Sequence, residues 1–314
     1  MPDTNYLITL KPRGRFFFGG DRAFTASGEA VYAAESLYFP QQTALLGMLR
    51  YAMIRQDPNA KIGTGFDIEN NNWGDVSQLS PVFLIDTISQ KQWRPVGMNF
   101  QKDKELQLPA NNKIENYDPK NGLLINSWAC GDEACAIEDF FQTIETVGNK
   151  KARDGKSEAD GFFKQKAHQL KRPFGFAFYA TFKAEQRFDK VHSVIIGADQ
   201  SVFGLNIAEA KEPITGSVSG NKIVLLSDAY LPNYADLQSH CDFILGTATP
   251  FRYMTSPKGN DHFANRRSLT QFNLLSRGSV LYPKTGSIAD IINILQQPEA
   301  FRKVGYNHFK ISNQ

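Results

Sequence analysis

Cysteine is scarce in this 314-residue chain, and the three that occur, Cys130, Cys135 and Cys241, fit neither a disulfide framework nor a zinc site. The Cys130–Cys135 spacing lies at the edge of metal-ligand range, but no second pair follows, so structural thiols are expected and no metal. There is no apolar run of about 18 residues, which argues against a membrane span. The opening Met-Pro-Asp-Thr-Asn lacks the basic leader and apolar core of a secretory signal, and a cytoplasmic protein is expected. The sequence also lacks a phosphate-binding G-x4-G-K-[ST] loop, an H-E-x-x-H zinc motif and a G-x-S-x-G nucleophile elbow. Nothing in the chain calls for a cofactor or a small-molecule substrate.

What is present is a globular composition, 41% hydrophobic and 21% charged, with 24 phenylalanines. The formal net charge of +3 hides strong segregation. Residues 56–146 carry seven basic and fourteen acidic groups, and residues 191–249 carry two and six. Against these, residues 147–190 carry eleven basic and five acidic groups, and residues 250–314 carry nine and three. Such blocks suggest one face built for polyanions and others built for solvent or protein partners.

Hydrophobic periodicity supplies the elements. Tyr6–Leu10 reads as a first strand. After Pro40, a helix is predicted from Gln42 to Arg55, with Leu45, Leu46, Met48, Leu49, Ala52 and Met53 on one face and Thr43, Gly47, Arg50 and Tyr51 on the other. Residues 56–146, acidic and rich in asparagine, read as an elaborated insertion with strands near Val82–Ile88 and Gln92–Val96 and a closing helix over Ile137–Thr146. Residues 149–172 read as a charged hairpin or loop. Phe174, Phe176, Phe178 and Phe182 alternate with smaller residues as in a half-buried strand. Strands follow at Ser193–Ile196, Val202–Ile207, Ile223–Leu226, Phe243–Thr247 and Gly278–Tyr282, then a helix over Ile288–Leu295 and a final turn and strand over Val304–Ile311. Many strands and few helices predict an α+β fold.

Several features suggest RNA. Lys11, Arg13, Arg15 and Arg22 surround Phe16, Phe17 and Phe18, a mixture suited to phosphates and unstacked bases, although the same pattern arises from a basic turn beside a core phenylalanine run. Gln42 and Thr43 open the long helix, where free N–H groups suit a phosphate. Gly47 marks a close approach, either of RNA or of a packed strand. Arg50, beside it, is expected to face RNA, the alternative being a pair with an acid such as Glu35. Lys150, Lys151 and Arg153 lie in the charged hairpin; Arg266, Arg267, Arg277, Tyr306 and His308 cluster near glycine turns at Gly278 and Gly305.

Further blocks stand in order along the chain: Leu10-Lys11-Pro12-Arg13 through Gly19-Gly20-Asp21-Arg22-Ala23-Phe24, Phe39-Pro40-Gln41-Gln42-Thr43-Ala44-Leu45-Leu46-Gly47-Met48-Leu49-Arg50, and Val147-Gly148 through Phe174-Gly175-Phe176. Ile196-Gly197 through Phe203-Gly204-Leu205, Arg277-Gly278-Ser279-Val280 and a closing Gly305-Tyr306-Asn307-His308-Phe309 continue the series. In this order the blocks resemble the RAMP superfamily of CRISPR proteins, and within it the Cmr-type (type III-B) subunit that caps the 5′ end of the guide RNA, the last block keeping one glycine where the family has several.

The resemblance implies two ferredoxin-like (RRM-like) modules, residues 1–190 with the acidic insertion at 56–146 and residues 191–314. It implies a non-catalytic subunit that binds CRISPR guide RNA and contacts the large cyclase-bearing effector subunit and a backbone RAMP subunit. The rival function is a metal-independent endoribonuclease that processes CRISPR RNA. Processing nucleases of the superfamily use an early histidine, whereas all five histidines here, starting with His168, lie after residue 167. Asp21, in a glycine turn, is the one early acid that resembles the aspartate of a cleaving loop, and a turn-capping role is the expectation for it.

Overall fold

A computed structural model of the chain describes residues 3–19, 33–63, 65–68, 72–96, 127–151, 157–197, 199–210, 220–255, 266–268 and 270–312. The fold is mixed, strand-rich and built around two antiparallel sheets.

Strand Thr4–Pro12 lies at the heart of the first sheet, with Tyr6, Ile8 and Leu10 buried at alternate positions. It pairs antiparallel with Phe174–Phe182 on one side and Ser201–Glu209 on the other, so that Ile8 meets Phe178 and Ile207. Beyond Phe174–Phe182 come Val76–Leu79 and Phe83–Asp86, both antiparallel to it, and then Gln92–Pro95, Ser127–Cys130 and Glu133–Ala136. Ser193–Ile196 closes the opposite edge. Taking Val76–Leu79 and Phe83–Asp86 together as the second strand, the central strands stand in the spatial order fourth, first, third, second.

The helix runs from Gln42 to Gln56, and it buries Leu45, Leu46, Met48, Leu49, Ala52 and Met53 as the periodicity requires. That face joins Ile8, Leu10, Phe176, Phe178 and Phe203 in the main core. Burying each leucine or methionine there contributes roughly 1.5–3 kcal/mol.

The second sheet carries Cys241–Leu245, Val280–Pro283, Lys222–Leu225 and Phe309–Ser312, every neighbour antiparallel. Helices Tyr234–Ser239 and Ile288–Gln296 fall after its first and third strands in chain order. Its own spatial order is again fourth, first, third, second, read from the far edge. One face, with Ile223, Leu225, Leu281 and Ile311, packs with Leu237, Ile291 and Leu295 of these helices.

Four expectations need correction. The strands at 76–79, 83–86, 92–95, 127–130 and 133–136 belong to the first sheet, so the acidic stretch is woven into it and not simply appended. The boundary placed at 190 cuts that same sheet, because Ser193–Ile196 and Ser201–Glu209 complete it. The helix expected over Ile137–Thr146 stops at Phe140, and Phe141–Lys151 becomes a strand paired along its length with Ser157–Leu170. The β-branched Thr143, Ile144, Thr146 and Val147 favour that outcome, since two substituents on Cβ crowd a helical turn. Phe174–Phe182 is buried on both faces, because it lies inside the sheet with core above and below.

Candidate nucleic-acid interface

The first strand ends in Lys11 and Pro12 and turns through Arg13 and Gly14, a turn pinned by the Arg13 N–H donating to the Val202 carbonyl at 3.0 Å. Across the sheet, Lys11 pairs with Gly204, where a Cβ would meet only the Lys11 carbonyl oxygen, at 3.7 Å. The end of strand Ser157–Leu170 and the following turn bring Gln169 and Arg172 to the same place. Together these residues and Phe174 line an open groove of about 660 Å³. Lys11, Arg13 and Arg172 are exposed, and no carboxylate is among the lining residues. Three cations around an open groove, uncompensated within it, favour the backbone of a nucleic acid. Arg15 lies exposed just beyond the Arg13–Gly14 turn.

Arg172 and Gln169 were not among the residues that the sequence pattern singled out. The available signal was the Lys171-Arg172-Pro173 triplet in the most basic block, where a proline after two cations marks a turn.

The aromatic half of the first basic segment has a different role. Phe16, Phe17 and Phe18 are buried, and Phe18 stacks on Phe203 with centroids 5.8 Å apart. Their rings build the core and are closed to bases.

Several other candidates form an internal seam. Gln42 is fully buried, and its Nε2 donates to the carbonyls of Ser80 at 2.8 Å and Val304 at 3.2 Å. Gly305 adopts φ +101, and a Cβ at that position would run into Gln42 Nε2 and the Ser80 carbonyl. Tyr306 is buried beside them, its hydroxyl donating to Gln41 Oε1 at 2.8 Å, and burial pushes its phenol pKa up. Gln42, Gly305 and Tyr306 therefore join the start of the long helix to the last turn of the chain, which corrects the reading of them as surface contacts. Thr43, half-buried, borders the same seam.

Arg277 is occupied as well. Its Nη2 meets Asp228 Oδ2 at 3.2 Å, its backbone N–H donates to Asp228 Oδ1 at 2.8 Å, and its guanidinium lies 4.5 Å from the centre of the Phe39 ring. The Gly278 N–H, a phosphate donor on the sequence pattern, already donates to the Leu225 carbonyl at 2.7 Å. His308 Nε2 lies 3.0 Å from the Arg302 carbonyl, which it donates to, and burial lowers its pKa. Arg50 donates to the carbonyls of Ile62 at 2.9 Å and Gly63 at 3.0 Å, so it braces the loop below the helix and does not reach across Gly47. Gly47 is exposed, with open space where a Cβ would stand.

Arg22, Arg153 and Asp21 lie outside the described residues. Lys150 and Lys151 end strand Phe141–Lys151, and Arg266 and Arg267 pair with Thr255 and Met254; the side chains of these four basic residues lie outside the description too. Cys130 and Cys135 are free thiols on neighbouring strands, and Cys241 is a buried thiol whose pKa desolvation pushes up to about 11.

Residues 8–127 match the family model described as CRISPR-associated protein (Cas_Cmr3). Over that span the sequence is similar to this CRISPR-associated family. The matched segment includes Lys11, Arg13 and the whole Gln42–Gln56 helix. Solved structures extend the likeness in fold to nearly the full length. A chain from the cryo-EM structure of the type III-B Cmr-beta bound to cognate target RNA is 14% identical, with a TM-score of 0.60 over 98% of this chain and 96% of that one. A chain from the same complex bound to cognate target RNA and AMPPnP is 15% identical, with a TM-score of 0.57 over 97% and 95%. No curated protein matches this chain. Among the described residues, no helix is long and apolar enough to cross a membrane.

Proposed function

We propose that this chain is a non-catalytic guide-RNA-binding subunit of a type III-B CRISPR effector, capping the 5′ handle and bridging the large cyclase-bearing subunit to the backbone RAMP subunit. The groove formed by Lys11, Arg13 and Arg172 carries the reading, because it sets three exposed cations along an open channel and two of them lie in the family-matched segment. The shared strand order supports the accompanying architecture. Each sheet runs fourth, first, third, second with all neighbours antiparallel, the order of a ferredoxin-like module, and the second sheet also has both crossover helices.

Binding without cleavage is consistent with the groove's lining, which offers a cation-rich surface and no general acid–base pair. His168 adjoins Gln169 in sequence, but its ring is buried, with Nε2 donating to the Ser36 carbonyl at 3.0 Å. The decisive measurement is affinity for guide RNA in the reconstituted complex. RNA with its native 5′ handle is expected to bind more tightly than RNA with a scrambled handle, and Lys11→Ala/Arg13→Ala/Arg172→Ala is expected to weaken both about a hundredfold, as roughly 1 kcal/mol or more per charge-assisted contact implies. Equal affinity for the two handles removes handle recognition. Cleavage of precursor RNA by the purified chain without metal establishes the endoribonuclease instead.

A further inference from the structure

A second group of cations gathers where the two sheets approach one another, and none of them lines the Lys11–Arg13–Arg172 groove. Val224 pairs with Lys310 and Lys222 with Ser312, so the two lysines are diagonal neighbours on adjacent strands. They occupy the sheet face opposite the helices, since Ile223, Leu225 and Ile311 point to the helices, and lie beside Val224 and Val280, which are buried on that face. The Val224–Val280 and Ile223–Leu281 register, continued by one residue, sets Tyr282 beside Lys222, and Phe243 pairs with Tyr282 on the edge strand. The row therefore reads aromatic, aromatic, cation across three strands. The Phe243 and Tyr282 rings are 6.2 Å apart and only partly buried.

The first sheet adds Arg94. Its guanidinium lies 4.3 Å from the centre of the Phe83 ring, and Nη2 donates to Gln92 Oε1 at 3.1 Å. Gln92 is fixed in turn by its Nε2 donating to the Tyr179 hydroxyl at 2.8 Å. Arg94 is thus held by a ring and an amide, with no carboxylate. Among the described residues, none of Arg94, Lys222 and Lys310 makes an ion pair. The ammonium of Lys310 is held below its ordinary pKa range, first by burial and then by the charges of Lys222 and Arg94. Half-buried like charges without a counter-ion oppose folding, and an arriving anion reverses that cost.

We propose that Arg94, Lys222 and Lys310, with the rings of Phe243 and Tyr282, form a second seat for single-stranded RNA on the helix-free face of the second sheet. Cations take the phosphates, and the two rings offer stacking surfaces to unpaired bases. An acidic protein surface would answer the charges but leave the adjoining aromatic row unexplained, so RNA is the favoured occupant. The inference rests on the RNA-binding reading above and extends it to a second place on the molecule.

The test uses the full chain and a labelled single-stranded RNA, with anisotropy measured across a salt series. Lys222→Gln/Lys310→Gln is expected to weaken binding about tenfold at low salt and to reduce the slope of log affinity against log salt by about 1.4, or ~0.7 for each phosphate no longer neutralised. The same variant, without RNA, is expected to melt no lower than the wild type, since it removes like-charge repulsion. Tyr282 is expected to cross-link to RNA under ultraviolet light. Unchanged affinity and slope in this variant overturn the second seat. So does a Lys11→Gln/Arg13→Gln/Arg172→Gln variant with no residual salt-dependent binding. Should the groove variant bind normally while the sheet-face variant weakens, the groove reading fails and the second seat stands. A wild-type chain that binds no RNA overturns both. Normal RNA affinity combined with impaired assembly into the effector assigns the face to an acidic protein partner and also overturns the inference.

Discussion

Arg50 illustrates how one residue's surroundings redirect its chemistry. A planar fork on the outer side of a helix, next to a glycine, has the right form for a phosphate. Here two of its donors are taken by the carbonyls of Ile62 and Gly63, which fixes the chain leaving the helix, and partial burial lowers the guanidinium's pKa. Arg50→Ala is therefore expected to cost about 1–3 kcal/mol of stability, since it removes two charge-assisted hydrogen bonds and leaves two carbonyls to find water. RNA affinity is expected to stay within about twofold of the wild type, since no phosphate contact is removed. Melting curves and anisotropy on the same preparation separate the two effects, and normal melting with weakened RNA binding would restore the phosphate role. Gly47 keeps its functional reading open by a different route: nothing packs against it, so helix–sheet contact does not explain it.

At the scale of elements, the hairpin formed by Phe141–Lys151 and Ser157–Leu170 shows the limit of local pattern. Its ion pairs, Lys164 with Glu145 at 2.6 Å and Lys166 with Glu35 at 3.9 Å, are solvent-exposed and contribute little. What anchors it is the base, where the His168 ring is buried and stacks on Tyr38 with centroids 4.1 Å apart. Nε2 donates to the Ser36 carbonyl, which leaves Nδ1 to accept from the Thr143 hydroxyl at 3.3 Å, so the neutral ring satisfies both partners. Burial lowers the His168 pKa below its ordinary value, with the Ser36 bond and Glu35 opposing in smaller measure. The folded state then binds fewer protons than the unfolded chain. Its stability is full above a pH of about 6.5 and declines as pH falls below that value. His308, also buried and lowered, adds to the same trend. Melting temperature is expected to drop between about pH 7.5 and pH 5, and less steeply in His168→Gln. Parallel profiles for the two proteins would place the proton uptake elsewhere.

Across the whole molecule, the two sheets are joined by side chains whose sequence neighbourhoods look like surface turns. Gln42 and Gly305 interlock, and Arg277 connects Asp228 to the Phe39 ring, which itself stacks on Trp128 at 4.8 Å. The Arg277–Asp228 pair is largely withdrawn from water, at 12% and 15% side-chain exposure, so removing one partner strands the other. Arg277→Ala is expected to cost about 3–5 kcal/mol, the range for breaking a buried pair, and to loosen the packing between the sheets. Chemical denaturation reads the first effect, and hydrogen exchange at Phe39 and Leu225 reads the second. A loss below about 1 kcal/mol would show the pair to be an exposed one in effect.

The sequence by itself determined the local elements with a strong period. The Gln42–Gln56 helix, the Tyr6–Ile8–Leu10 alternation and the strands Ser193–Ile196, Ser201–Glu209 and Lys222–Leu225 follow from side chains sorting themselves by hydrophobicity along one chain. It also determined which segments are basic, and Lys11 and Arg13 were visible for that reason. The tertiary structure alone decided which cations remain free. Arg277, Gln42 and Gly278 have partners 49, 262 and 53 residues away, distances over which no local pattern carries information. Arg172 joins Lys11 and Arg13 only because the strands ending at 12 and 170 finish at the same edge of the fold. Lys222, Lys310 and Arg94 meet only through strand register and the approach of two sheets. A polar group's role depends on whether folding brings it a partner, and that depends on contacts the chain makes far from itself in sequence.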